Sequence, residues 1–148
     1  MKKTFKALIL TTILSLTFAS AVFAGDQYEN PTNDFYFQAT TVSPGSGTSG
    51  YLSQGDVDWY KFTPYLTGQQ RIFFFPPDSQ GYYVHIYDAA QLDATGSATA
   101  IASKFIYNGH NSTNEFSFNV QGGKSYYILI AGSVNTTSPY HLGVIGQF

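Results

Sequence analysis

The feature that most restricts this chain is its punctuation. Beyond residue 34, short apolar and aromatic runs alternate with clusters of Gly, Pro, Asn, Ser and Thr, and no helical repeat of apolar positions is sustained over a long window. Such a pattern belongs to short strands and tight turns, and so to an all-β sandwich or barrel. The expected strands are Phe35–Thr41, Ser49–Leu52, Trp59–Thr63, Gln70–Phe75, Tyr82–Tyr87, Ala100–Ile106, Glu115–Val120, Tyr126–Ala131 and Tyr140–Ile145. The first of these reads equally as an extended or short helical lead-in. Pro44-Gly45-Ser46-Gly47 reads as a turn and Asp93 to Thr99 as a loop. Pro76-Pro77 has no N–H to give a ladder and ends the Phe73-Phe74-Phe75 run.

Alternation along a strand assigns faces. Val84 and Ile86 share one side of Tyr82–Tyr87, and Tyr83, His85 and Tyr87 share the other. In Glu115–Val120, Phe116, Phe118 and Val120 point inward. Both faces of Tyr126–Ala131 are apolar, so that strand is expected to be central and largely buried. Tyr83, His85 and Tyr87 are the candidate partner surface, since exposed aromatic rows on a sandwich stack on sugars or peptides. The competing reading is that a second layer covers them. One composition regime, no long linker and no internal repeat point to a single domain over residues 25–148.

The first 24 residues read differently. Lys2, Lys3 and Lys6 precede an apolar run from Ala7 to Phe18, and Val22-Phe23-Ala24 closes it with compact residues at 22 and 24. This is the form of a secretory signal peptide over residues 1–24, too short in its apolar run for a membrane anchor. After cleavage no membrane span is expected. The remainder carries Lys61, Arg71, Lys104 and Lys124 against nine acids, with no clustered cations for a nucleic acid. There is no cysteine, so stability must come from burial and hydrogen-bonded sheet, with the ten Phe and twelve Tyr of residues 25–148 as packing material.

Two segments carry more than pattern. Tyr28-Glu29-Asn30-Pro31-Thr32-Asn33-Asp34 is followed by Gly50-Tyr51-Leu52-Ser53-Gln54-Gly55-Asp56-Val57-Asp58-Trp59-Tyr60-Lys61-Phe62. Their order and spacing resemble the bacterial pre-peptidase C-terminal domain, which has an acidic Glu-x-Glu-Pro-Asn-Asp lead-in and a Gly-Asp-x-Asp-aromatic-Tyr-x-Phe strand. Val84-His85-Ile86-Tyr87-Asp88, Gly122-Gly123-Lys124-Ser125-Tyr126-Tyr127-Ile128 and Tyr140-His141-Leu142-Gly143-Val144 resemble later strands of that family.

The resemblance implies a jelly-roll-like antiparallel β-sandwich attached to secreted proteases or collagenases. In the related collagen-binding domains of clostridial collagenases it also implies calcium. By position, Glu29 matches the first acid, Asn33 and Asp34 the Asn-Asp pair, and Asp58 the Asp before the aromatic pair. Asp56 is a further candidate ligand, and calcium takes about 6–8 oxygens. The family's second acid falls on Pro31, which has no carboxylate. The alternative is that Asp34, Asp56 and Asp58 cap turns through local backbone bonds. The tyrosines that contact collagen in those relatives fall on Ala131 and Ser133, so collagen contact is not expected.

No Gly-x-Ser-x-Gly elbow, cysteine nucleophile or His-Glu-x-x-His motif is present, and His85, His110 and His141 are scattered. The expectation is therefore a secreted, non-catalytic binding or accessory module. It would act on an extracellular protein or polysaccharide, or in trans on a secreted protease, since the signal segment abuts the domain directly. A small secreted hydrolase or protease inhibitor, and a self-assembling surface or matrix protein, are the alternatives.

Overall fold

A computed structural model describes residues 32–77, 79–107 and 114–147. The expected signal segment, Glu29 and His110 lie outside them. Two sheets stack face to face. A short 3-10 turn, Tyr36–Gln38, leads into β1 (Thr40–Thr41), β2 (Ser46–Leu52), β3 (Asp58–Phe62), β4 (Gly68–Phe75) and β5 (Gly81–Asp88). A helix α1 (Ala89–Thr95) follows, then β6 (Ala102–Tyr107), β7 (Glu115–Val120), β8 (Tyr126–Gly132) and β9 (Asn135–Val144). One sheet has the order β1-β3-β8-β5-β6 and the other β2-β9-β4-β7. All pairings are antiparallel except the two-residue parallel contact of β1 with β3.

The apolar alternation settles which side of each strand is inside. Tyr60 and Phe62 of β3, Ile72 and Phe74 of β4, and Tyr82, Val84 and Ile86 of β5 are all buried. So are Ile128 and Ile130 of β8 with Tyr140, Leu142 and Val144 of β9, and together these form the inter-sheet core. β8 is the middle strand of its sheet, as its two apolar faces predict.

Three departures from the sequence reading have physical causes. β2 begins at Ser46, inside the expected turn, because a ladder needs only backbone and Ser46 pairs with Val144. β9 begins at Asn135, well before Tyr140, for the same reason. Residues Ala89–Thr95 form a helix, capped by the Asp88 carboxylate accepting from the Gln91 N–H at 3.2 Å. The helix ends where Gly96 takes a left-handed φ of 67°.

The period-2 alternation also has a consequence for Asp58. It is in phase with Tyr60 and Phe62, so its side chain enters the core and is 0% exposed. Tyr140 donates a hydrogen bond to its carboxylate, and the Tyr60 and Tyr140 hydroxyls lie 2.5 Å apart. Gly50 makes the space: a Cβ there would stand 2.9 Å from Asp58 Oδ2 and overlap the Tyr140 hydroxyl. Burial, reinforced by Tyr60 and Asp58, pushes the Tyr140 phenol well above its ordinary range.

Candidate functional site

The described end of the lead-in docks against β3 through Asn33. The Trp59 N–H donates to the Asn33 carbonyl at 2.8 Å, and the Asn33 side-chain amide donates to the Trp59 carbonyl at 3.0 Å. Asn33 is buried, which makes this reciprocal pair a clamp on the lead-in. Its neighbour Asp34 has Oδ1 buried with no hydrogen-bond partner among the described residues. Asp56 accepts from the Ser53 N–H at 3.3 Å, a local turn bond, and Asp58 turns inward to Tyr140. Among the described residues, no three His, Cys, Asp or Glu side chains gather as metal ligands.

The outer face of the five-stranded sheet carries the aromatic row. Register places Tyr83 between Ala131 and Phe105, His85 between Leu129 and Ser103, and Tyr87 beside Tyr127. The Tyr83 and His85 rings stack at 5.7 Å, and Tyr83 lies 4.8 Å from Phe105. His85 Nδ1 shares a 2.8 Å hydrogen bond with the Ser103 hydroxyl, and burial holds its pKa below the ordinary value. Gly81 lies under the Phe105 ring; a Cβ there would come within 2.6 Å of it.

That row divides into two halves. At one end the 3-10 turn and α1 lie over the sheet, and Ala89, Leu92 and Tyr127 form a second apolar cluster joined by Tyr36, Trp59 and Tyr87. The Trp59 and Tyr87 rings are 5.6 Å apart, and the Tyr127 hydroxyl donates to Asp93 at 2.8 Å. Burial and then Asp93 push the Tyr127 pKa up to about 12. At the other end nothing among the described residues covers the sheet. Tyr83, Phe105 and Tyr107 are 50%, 52% and 47% exposed. Of the three residues expected to form a surface, Tyr83 is open, His85 sits at the boundary, and Tyr87 belongs to the covered half.

Phe105 and Tyr107 were not among the expected surface residues. Their signal was present in the sequence, since Ile106 is the inward residue of β6 and its neighbours must face out. Both described histidines pair with hydroxyls: like His85 with Ser103, His141 Nδ1 and the Ser49 hydroxyl are 2.7 Å apart, on the other sheet.

The fold is a two-sheet β-sandwich with one partly exposed aromatic face. The pre-peptidase C-terminal domain of a collagenase from Bacillus anthracis superposes with a TM-score of 0.53 at 21% identity, covering 72% of this chain and 93% of that one. PliG of Aeromonas hydrophila, a periplasmic inhibitor of g-type lysozyme, superposes with a TM-score of 0.51 at 14% identity, over 74% of this chain and 97% of that one. CorA, a surface-associated copper-binding protein of Methylomicrobium album BG8, gives 0.52 at 7% identity, over 74% and 98%. No protein-family model matches the sequence, and no curated protein does. The chain therefore shares the sandwich fold of the pre-peptidase C-terminal domain. Among the described residues no helix is long and apolar enough to cross a membrane.

Proposed function

We propose that this chain is an exported, non-catalytic accessory module that holds an extracellular protein partner on the open half of its five-stranded sheet. The observation that carries this reading is the contiguous Tyr83–Phe105–Tyr107 patch, about half exposed, beside an otherwise equivalent half that is covered. Rigid aromatics on a flat sheet contribute contact area at low entropic cost and dominate protein interfaces. A partner there could be a secreted protease, engaged in trans. Export rests on the basic and apolar segment at residues 1–24.

The test is differential capture. Immobilised wild type and a Tyr83→Ala/Phe105→Ala variant are exposed to the exported proteins of the native host. A protein retained by the first and lost from the second supports the reading. Identical captured sets would refute it.

Calcium belongs to the same reading at the lead-in. The buried, unpartnered Asp34 Oδ1 is the observation that favours it, since such an oxygen costs about 1–3 kcal/mol and a cation would satisfy it. Asp34 with Glu29 and main-chain oxygens would hold the ion and tie the lead-in to β3. Asn33, Asp56 and Asp58, the other candidate ligands, have the protein hydrogen bonds described above.

A further inference from the structure

The outer face of the four-stranded sheet holds a groove of about 830 Å³ that the aromatic face does not involve. Two adjacent rows of residues build it across β2, β9 and β4. One row runs Ser49, His141, Phe75 and the next runs Gly47, Gly143, Phe73. The phenyl rings of Phe73 and Phe75 stand 5.8 Å apart at 20°, forming one wall. Gly47 and Gly143 place no side chain on the floor, and the Ser49–His141 pair closes one end.

Three properties restrict the occupant. None of the described lining residues is Asp, Glu, Lys or Arg, so a charged ligand would lose its hydration without a counter-charge. The backbone of β9 is paired along both edges here, with β2 and with β4, so a peptide strand finds no free ladder on the floor. A purely aliphatic ligand would bury the Ser49 and His141 polar atoms without new partners. What remains is a neutral molecule with an apolar face and peripheral hydroxyls.

We propose that this groove binds a neutral saccharide. The C–H face of a sugar ring lies against the Phe73–Phe75 wall, whose π faces are electron-rich. Its hydroxyls reach Ser49 and the second ring nitrogen of His141, because Nδ1 is already engaged by Ser49. A few placed polar groups beside aromatic walls are the usual make-up of a small-ligand site.

Titration of the full chain with chito-, cello- and malto-oligosaccharides, followed by amide NMR, tests this. At least one neutral series should saturate, with shifts centred on Ser49, Phe73, His141 and Gly143. Gly143→Val fills the floor and should abolish binding; the first atom it adds, Cβ, meets Phe73 Cβ at 3.6 Å, an ordinary contact. Ser49→Ala should weaken binding roughly tenfold. Should Gly143→Val fail to fold, the exposed Phe75→Ala serves in its place, again with loss of binding expected. Tyr83→Ala should bind as wild type, which separates this groove from the protein-binding face. Failure of every neutral series to saturate, or binding unaffected by both Gly143→Val and Phe75→Ala, would overturn the proposal. So would a preference for sulfated sugars or for gelatin peptides.

Discussion

The hydroxyl of Tyr140, on the four-stranded sheet, donates a hydrogen bond across the core to the carboxylate of Asp58, on the five-stranded sheet. Both residues are 0% exposed. Removing the donor leaves a buried acceptor short of a partner, which costs about 1–3 kcal/mol and more where the group is charged. Tyr140→Phe is expected to lower unfolding free energy by that order in a urea titration. Asp58→Ala should cost more than Asp58→Asn, because the amide oxygen can still accept from Tyr140.

Alkaline pH should act on the same core. Burial, with a smaller contribution from Asp58, pushes Tyr82 up to about 12, and Tyr127 is pushed equally high. A folded pKa above the unfolded value of 10.0 means the native state keeps its proton longer. These phenols therefore contribute their full stability below pH 10.0 and lose it as pH rises toward about 12. Phenolate absorbance should show a late-titrating class of tyrosines that joins the ordinary class once the protein is denatured.

His85 has the opposite linkage. Burial lowers its pKa below 6.5, so as pH falls past that value the unfolded chain takes up the proton first. The stability held by the neutral imidazole is complete above pH 6.5 and declines as pH drops toward the folded pKa. Replacing His85 with Gln should flatten this part of the stability profile, read from melting temperatures across mildly acidic buffers.

Asn33 should matter more than an exposed lead-in residue would. Asn33→Ala removes the 3.0 Å bond to the Trp59 carbonyl and is expected to cost about 1 kcal/mol. Asn33→Asp should cost more, since a carboxylate oxygen would face that carbonyl. Trp59 fluorescence should change in both variants, because the lead-in packs Tyr36 against its ring. Addition of millimolar calcium should raise the wild-type melting temperature, and Asp34→Ala should remove the rise. An unchanged melt would exclude the metal.

Much of this was legible where side chains decide the structure. The alternation in β5, β7 and β8 predicted their buried faces, and the two apolar faces of β8 predicted its central place. The inward course of Asp58 was also readable from its phase with Tyr60 and Phe62. The Asp-rich motif drew attention to ligand chemistry instead. The rest was hidden for definite reasons. The Gly- and Ser-rich start of β2 pairs through backbone alone. A seven-residue helix is too short for periodicity to reveal, although Asp88 and Gly96 mark its ends. The half-covered aromatic row depends on Tyr36, remote in sequence from Tyr83 and Phe105, and on α1, the helix that periodicity does not reveal. The charge-free groove arises only when Gly47, Gly143 and Phe73 come into register.

The most direct test of the protein-binding face measures stability and partner retention on the same samples. Tyr83→Ala/Phe105→Ala is expected to melt within a few degrees of wild type and to lose its captured partner, because both rings are half exposed. Tyr87→Ala, in the covered cluster, should instead lower the melting temperature. Full retention of the partner by the folded double variant would contradict the assignment of that face.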